Sequence, residues 1–241
     1  MTEVRRLADA AAVASAAADL IRTTITSARK ERGRASVVLT GGGVGTRSVK
    51  EWAAGLGDPA EDLVDVHLWW GDERFVPGGD PERNDAALLG ALPGVGEIPT
   101  IHRMAALDDT ADADAGAAAY ASELDAFAAA GEPLFDLLLL GVGPDGHVAS
   151  LFPHHPGLTD RSSRVVVVHD SPKPPPTRLS MSIDTLNRSR QVWFLVAGAD
   201  KSEAVASAFG GAGYSDIPAT GVQGLEITGW LLDEAAGASL P

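Results

Sequence analysis

Short apolar runs alternate with helical patterns along most of this chain. That alternation is typical of βα units arranged around a largely parallel sheet. The runs predict strands at Ala35 to Thr40, Val64 to Trp70, Phe135 to Leu140, Arg164 to His169, Gln191 to Ala197 and Leu225 to Trp230. We therefore predict an α/β fold with an open, mainly parallel sheet and helices on both faces.

Other stretches have the apolar periodicity of helices. From Val4 to Ile25, apolar residues recur at steps of three and four, which predicts an amphipathic helix rather than a signal peptide. Leu179 to Ile183 alternates apolar and polar residues, which predicts a half-buried strand suited to antiparallel pairing. Further helices are predicted around Val49 to Leu56, over Thr110 to Ala130 and over Lys201 to Phe209.

Composition narrows the classes of partner. The chain has 241 residues, and we expect one domain over residues 1–241. Its net charge of −14 disfavours nucleic acid and anionic membranes as partners. The absence of cysteine excludes disulfides, thiolate nucleophiles and cysteine-ligated metals. We expect a cytoplasmic protein, and monomer is the preferred state.

Ligands of open α/β sheets bind at the carboxyl ends of the strands, so the loops that follow the strands are informative. The first loop contains Gly41, Gly42 and Gly43 and leads into a helix. Glycines there allow backbone N–H groups to approach an anion at the helix N-terminus. The spacing fits neither the P-loop nor a dinucleotide motif, and a simple tight turn is the alternative.

The second loop, Trp69 to Pro77, carries Asp72 and Arg74, and Asn84 follows shortly after it. A surface ion pair is the usual fate of such charged residues. At the end of a strand, however, a guanidinium can bind phosphate or an oxyanion, and a carboxylate can orient its neighbours.

The third loop delivers Asp145 and His147 together. Residues 141–146 match G-x-G-x-x-G, but Pro153 and Pro156 leave no room for the long helix of a dinucleotide site. A histidine with a carboxylate two residues away is the usual equipment of a general base. The alternative is a helix-capping aspartate and a structural histidine.

Two other groups of residues do not fit a nucleophile or a metal site. Ser150 lacks the G-x-S-x-G context of a nucleophile, and His147, His154 and His155 lack metal-ligand spacing. We therefore predict acid–base catalysis without a metal or a cofactor. Arg178 and Lys201 lie near later strand boundaries, where surface solvation is the default unless an oxyanion site lies close by.

Residues 141–153, GVGPDGHVASLFP, closely resemble the signature of 6-phosphogluconolactonases. Residues 70–77, 198–201 and 230–236 support the resemblance, as does Arg178 after a proline-rich loop. The first loop departs from the family's Ser-Gly-Gly-Ser/Thr-x-Pro, because it reads Thr-Gly-Gly-Gly-Val-Gly from Thr40. Side-chain hydroxyl contacts are therefore not carried over to that loop, whereas backbone contacts are.

The resemblance implies a Rossmann-like fold shared with glucosamine-6-phosphate deaminases and ribose-5-phosphate isomerases. It also implies hydrolysis of 6-phospho-D-glucono-1,5-lactone in the oxidative pentose phosphate pathway. The deaminases continue their Asp-Gly-His loop with a glutamate that is missing from residues 148–153, which favours lactone hydrolysis. A related deaminase or isomerase and a sugar-phosphate sensor remain as alternatives, although no helix-turn-helix pattern supports a sensor.

The resulting hypothesis gives each candidate residue a role. His147 removes a proton from the attacking water, and Asp145 holds the imidazole. Arg74, oriented by Asp72, stabilises the oxyanion. The phosphate and the sugar hydroxyls are assigned to Gly41, Gly42, Gly43, Lys201, Arg178 and Asn84. Since the substrate is an anion, Arg74, Arg178 and Lys201 should form a small basic patch in this acidic protein.

Overall fold

A six-stranded parallel sheet and a three-stranded antiparallel sheet organise this chain. The computed structural model describes residues 2–92, 94–95, 98, 100–128 and 133–240. The strands are β1 (Thr2–Leu7), β2 (Ala35–Leu39), β3 (Val66–Trp70), β4 (Asp72–Arg74), β5 (Phe135–Gly141), β6 (Val165–Val168), β7 (Arg178–Met181), β8 (Ser189–Val196) and β9 (Ile227–Asp233). Their order is β1-β9-β8-β5-β2-β3 in the parallel sheet and β4-β7-β6 in the antiparallel one.

Helices connect the strands of the parallel sheet. They are α1 (Ala10–Arg32), α2 (Gly42–Ala53), α3 (Pro59–Asp62), α4 (Ala86–Ala91), α5 (Ala113–Phe127), α6 (Pro156–Thr159), α7 (Ile183–Leu186) and α8 (Ser202–Phe209). None of them within the described ranges is long and apolar enough to cross a membrane.

Both faces of the parallel sheet are buried, as β5 illustrates. Leu137 and Leu139 belong to the apolar cluster that contains the buried face of α1. Leu138 and Leu140 belong to the cluster on the opposite face, which contains residues of α5 and α8. Because side chains alternate along a strand, a continuous leucine run supplies two cores at once. The predicted open α/β fold with helices on both faces is confirmed.

The predicted N-terminal helix starts later than its periodicity indicated. Val4 lies in β1, an edge strand parallel to β9, and α1 begins at Ala10. The side chain of Asp9 accepts a hydrogen bond from Ala12 N at 2.8 Å and caps the helix. The prediction was wrong for residues 4–9 because the strand's hydrogen-bond partner, β9, is remote in sequence.

Other boundaries differ by a few residues. The predicted antiparallel strand is β7, but all four of its residues are buried because it lies between β4 and β6. Asp72 and Arg74, predicted in a loop, belong to the short strand β4. The helix predicted over Thr110 to Ala130 is α5, capped by Asp112, and its last two predicted residues lie outside the described residues. The helix that follows the Gly141 loop, α6, has four residues. This agrees with the expectation that the loop does not lead into the long helix of a dinucleotide site.

A buried glycine in β9, Gly229, gives a stability prediction. A Cβ on Gly229 would lie 2.2 Å from the indole ring of Trp193 on β8. We expect Gly229→Ala to lower the free energy of unfolding by roughly 1–3 kcal/mol, since overpacking forces neighbours to move. Urea denaturation measures the change.

The matched control is Gly90→Ala in α4, where a Cβ would meet nothing within 4 Å. Alanine is the better helix former by roughly 0.8–1 kcal/mol, so this variant should be as stable as the parent or slightly more stable. Equal destabilisation of both variants would contradict the packing argument.

Candidate active site

A pocket of about 420 Å³ lies at the carboxyl ends of β2, β5 and β8. Loops that follow the strands form its walls, as expected of an open parallel sheet. All but one of the predicted site residues line it: Gly41, Gly42, Gly43, Asp72, Arg74, Asn84, His147, Arg178 and Lys201. The exception, Asp145, contacts the side chain of His147. The fold thus brings together residues that are spread over most of the chain.

His147 and Asp145 form a hydrogen-bonded pair in the loop after β5. Nδ1 of His147 bonds to Oδ1 of Asp145. With Nδ1–H donating, the neutral imidazole keeps its lone pair on Nε2. The loop folds back on itself, because Gly143 N donates to His147 O at 2.9 Å and Gly146 has φ of 79°. An imidazole held in this way can accept a proton at Nε2.

Asp145 remains ionised in this environment. Burial alone would raise the pKa of Asp145, but the hydrogen bond and charge of His147 outweigh burial, and the ammonium of Lys173 helps, so the pKa is lowered to about 2. Lys173 Nζ lies 4.0 Å from Asp145 Oδ1. A carboxylate of such low pKa can stabilise an imidazolium without taking its proton.

Asp72 is bound to Ser150 and Asn84. Ser150 Oγ donates to Asp72 Oδ2 at 2.6 Å, and Asn84 Nδ2 donates to the carbonyl oxygen and Oδ1 of Asp72 at 2.8 and 3.2 Å. Arg74, which we expected Asp72 to orient, is held by the carbonyl oxygen of Glu82 through Nη1. The side chain of Asp72 therefore orients a serine and an asparagine, and that part of the sequence hypothesis was wrong.

The glycine loop forms the N-terminus of α2. Gly41 occupies the capping position and provides no side chain to accept from the first N–H groups of the helix. A Cβ on Gly41 would lie 1.8 Å from Asn84 Oδ1, so only glycine fits beside this amide. Lys201 lines the same pocket, and its Nζ donates to Asp200 Oδ2 at 2.6 Å. The helix N-terminus and the ammonium together suit an anion.

The proline-rich loop between β6 and β7 brings a further cation, Lys173, which the sequence analysis missed. Arg178 donates to the carbonyl oxygens of Lys173, Pro174 and Pro175 at 2.9 to 3.3 Å. This buried guanidinium holds the loop in place, and both cations line the pocket. Burial lowers the pKa of Lys173, the charge of Asp145 opposes this shift, and the charges of Lys201 and Arg178 add to it. The sequence feature that could have identified Lys173 is its place in a proline-rich loop that follows a strand.

The pocket concentrates positive charge in an acidic chain. Its lining has four cationic side chains, Arg74, Lys173, Arg178 and Lys201, whereas Asp72 is the one carboxylate that lines it among the described residues. The net charge of the chain is −14. Such a pocket attracts an anionic ligand against the field of the surrounding surface.

Gly143 makes the histidine–aspartate contact testable. A Cβ at this position would lie 1.9 Å from His147 Nδ1 and 2.4 Å from Asp145 Oδ1, so Gly143→Ala must displace the ring. We expect the downfield NMR signal of the His147 Nδ1 proton to disappear in the variant. Signals of the other histidines serve as the internal reference. An unchanged His147 signal would show that the contact does not require glycine at this position.

Comparison with known proteins agrees with this geometry. The model of the family of glucosamine-6-phosphate isomerases and 6-phosphogluconolactonases matches residues 8–230. The chain is 49% identical to a 6-phosphogluconolactonase of Streptomyces coelicolor, over 95% of this chain and 91% of that protein. It is 44% identical to a 6-phosphogluconolactonase of Mycobacterium tuberculosis, over 97% and 96% of the two chains. The crystal structure of a 6-phosphogluconolactonase from Thermotoga maritima superposes with a TM-score of 0.81 at 25% identity, covering 97% of this chain and 100% of that one. The chain therefore belongs to the glucosamine-6-phosphate isomerase/6-phosphogluconolactonase family.

Proposed function

We propose that this protein hydrolyses 6-phospho-D-glucono-1,5-lactone to 6-phosphogluconate, a step of the oxidative pentose phosphate pathway. The observation that carries the proposal is the His147–Asp145 pair beside a pocket lined by four cationic side chains. A base acts on water, and the cations suit a phosphorylated substrate. The lactonases among its relatives, at 44% and 49% identity, support the same reaction.

Water attacks the lactone carbonyl, and His147 removes its proton through Nε2. Asp145 stabilises the resulting imidazolium, and its low pKa keeps the proton on the ring. The tetrahedral intermediate collapses when the C–O bond of the ring breaks. The imidazolium returns the proton to the departing ring oxygen, so the base is regenerated for the next turnover.

Ser150 is not the nucleophile in this mechanism. Its side chain is fully buried, and its hydroxyl donates to the carboxylate of Asp72 at 2.6 Å. Because the serine is buried, its hydroxyl has no access to substrate. Water is therefore the attacking group, and the reaction needs no covalent intermediate.

The remaining pocket residues bind and polarise the substrate. We assign stabilisation of the oxyanion to Arg74, whose guanidinium lines the pocket. The phosphate lies between the N-terminus of α2 and Lys201, with Lys173 and Arg178 close by. Asn84, whose Nδ2 is held by Asp72, accepts a hydrogen bond from a sugar hydroxyl through Oδ1. Gly41, Gly42 and Gly43 act through their backbone N–H groups.

One chain supplies every group in this mechanism, so a monomer is sufficient for activity. We propose that the protein acts as a monomer in the cytoplasm, a compartment that suits a chain without cysteine. Sedimentation at assay concentration tests the first proposal, and cell fractionation tests the second.

Removal of the base tests the chemistry. We expect His147→Ala to lower kcat/KM for freshly generated 6-phosphogluconolactone by roughly 10²- to 10⁴-fold, the usual contribution of a positioned base. Release of acid at constant pH measures the rate after subtraction of spontaneous opening. His154→Ala is the matched control, because His154 is exposed and pairs with Asp216 at the surface. Hydrolysis at the parent rate by His147→Ala would overturn the assignment of the base.

Two substrates separate phosphate binding from catalysis. We expect Lys201→Ala to raise KM for the phosphorylated lactone roughly tenfold, because a charge-assisted hydrogen bond is lost. Little change is expected for unphosphorylated gluconolactone. Lys50→Ala, at the exposed end of α2, is the control for loss of a charge. An equal effect of Lys201→Ala on both lactones would contradict the phosphate assignment.

A further inference from the structure

Glu73 is a buried carboxylate directly behind the pocket. It lies on β4 between Asp72 and Arg74, which both line the pocket. Successive side chains of a strand point to opposite faces, so Glu73 faces away from the substrate. Its side chain is 1% exposed. The catalytic scheme above does not use this group.

The carboxylate accepts three backbone hydrogen bonds. Oε1 accepts from Arg74 N at 2.8 Å and from Asn84 N at 2.7 Å, and Oε2 accepts from Asp85 N at 3.0 Å. Asn84 is eleven residues further along the chain than Glu73. One side chain thus ties β4 to the segment that leads into α4.

Arg83 balances the buried charge. Its Nη2 lies 3.7 Å from Glu73 Oε2 and 2.8 Å from Asp85 Oδ2, and it donates to Met104 O at 2.7 Å. Burial raises the pKa of Glu73 to about 7, Arg83 opposes this rise and Asp85 adds to it. A buried carboxylate is costly unless its lone pairs are occupied, and these contacts occupy them.

Two of the backbone N–H groups that donate to the Glu73 carboxylate belong to pocket residues, Arg74 and Asn84. The backbone N–H of Asn84 donates to Glu73. The side-chain amide of Asn84 then lies against Gly41 and donates to Asp72. Arg74 is held by the same carboxylate oxygen through its own N–H. A shift of this carboxylate would therefore move a guanidinium and an amide on the substrate side of β4.

We propose that Glu73 is the positioning residue that sets Arg74 and Asn84 in the pocket. It does not touch substrate, and it acts through the backbone N–H groups of the two residues that do. The inference rests on the proposed function, because Arg74 and Asn84 matter only if they contact the lactone. A displacement on the order of 1 Å at such groups can cost 10²-fold in rate.

Glu73→Gln tests this role at constant shape. The amide keeps one acceptor oxygen but turns an NH2 group toward an N–H donor, either that of Asp85 or those of Arg74 and Asn84. We expect kcat/KM for the phosphorylated lactone to fall at least tenfold, at a temperature where circular dichroism shows the variant to be folded. Glu61→Gln, exposed on α3, is the matched control and should retain the parent value.

A double-mutant cycle distinguishes positioning from a general structural role. If Glu73 acts through Asn84 and Arg74, the loss caused by Glu73→Gln should be at least threefold smaller in an Asn84→Ala or an Arg74→Ala background, since coupled residues are not additive. Equal losses in the parent and in both backgrounds would overturn the inference. If Glu73→Gln does not fold, Glu73→Asp serves in the same cycle, because it keeps the charge and withdraws the oxygens by one methylene.

The two proposals fail in different ways. A parent protein that does not accelerate opening of the lactone overturns the proposed function and, with it, the role of Glu73. An active parent in which the losses multiply across the cycle overturns only the role of Glu73. Smaller losses in the two backgrounds support both proposals.

Discussion

The parallel arrangement of β2, β5 and β8 is the constraint on which the rest of this protein depends. Parallel neighbours end at the same edge of the sheet, so the loops that follow them meet there. The glycine loop after β2, the His147 loop after β5 and the Lys201 turn after β8 consequently share one pocket. Burial of both faces of the sheet makes this edge rigid, because Leu137 to Leu140 anchor β5 in two cores.

The chain as a whole is acidic, whereas the pocket is lined mainly by cations. The chain carries a net −14, yet cations dominate the lining of the pocket. The carboxylates near the site accept hydrogen bonds. Asp145 accepts from His147, Asp72 from Ser150 and Asn84, and Glu73 from three backbone N–H groups. These carboxylates therefore hold neighbouring groups in place, while two lysines and two arginines line the pocket. The helix N-terminus at Gly41 adds to the positive field.

Much of the fold and of the candidate site was predictable, for separate reasons. Buried parallel strands are continuous apolar runs, and the residues after them mark the ligand edge, so the glycine loop and the His147 loop could be named from their positions. Arg178 and Lys201 were assigned to the site only through the family resemblance. The edge strand β1 was mistaken for helix, because its partner β9 is more than 200 residues away along the chain. Lys173 was missed because only the fold of the proline loop, clamped by Arg178, turns it toward the pocket.

By itself, the sequence determined the fold class, the identity of the chemical groups and their order along the chain. Those features depend on local periodicity and on residue type. The tertiary structure decided which groups are partners. Asp72 binds Ser150 and Asn84, Arg74 is held by a backbone carbonyl, and Glu73 supports the pocket from behind. The physical reason is that hydrogen bonds require atoms within about 3 Å, and contacts between remote segments exist only after the sheet has assembled.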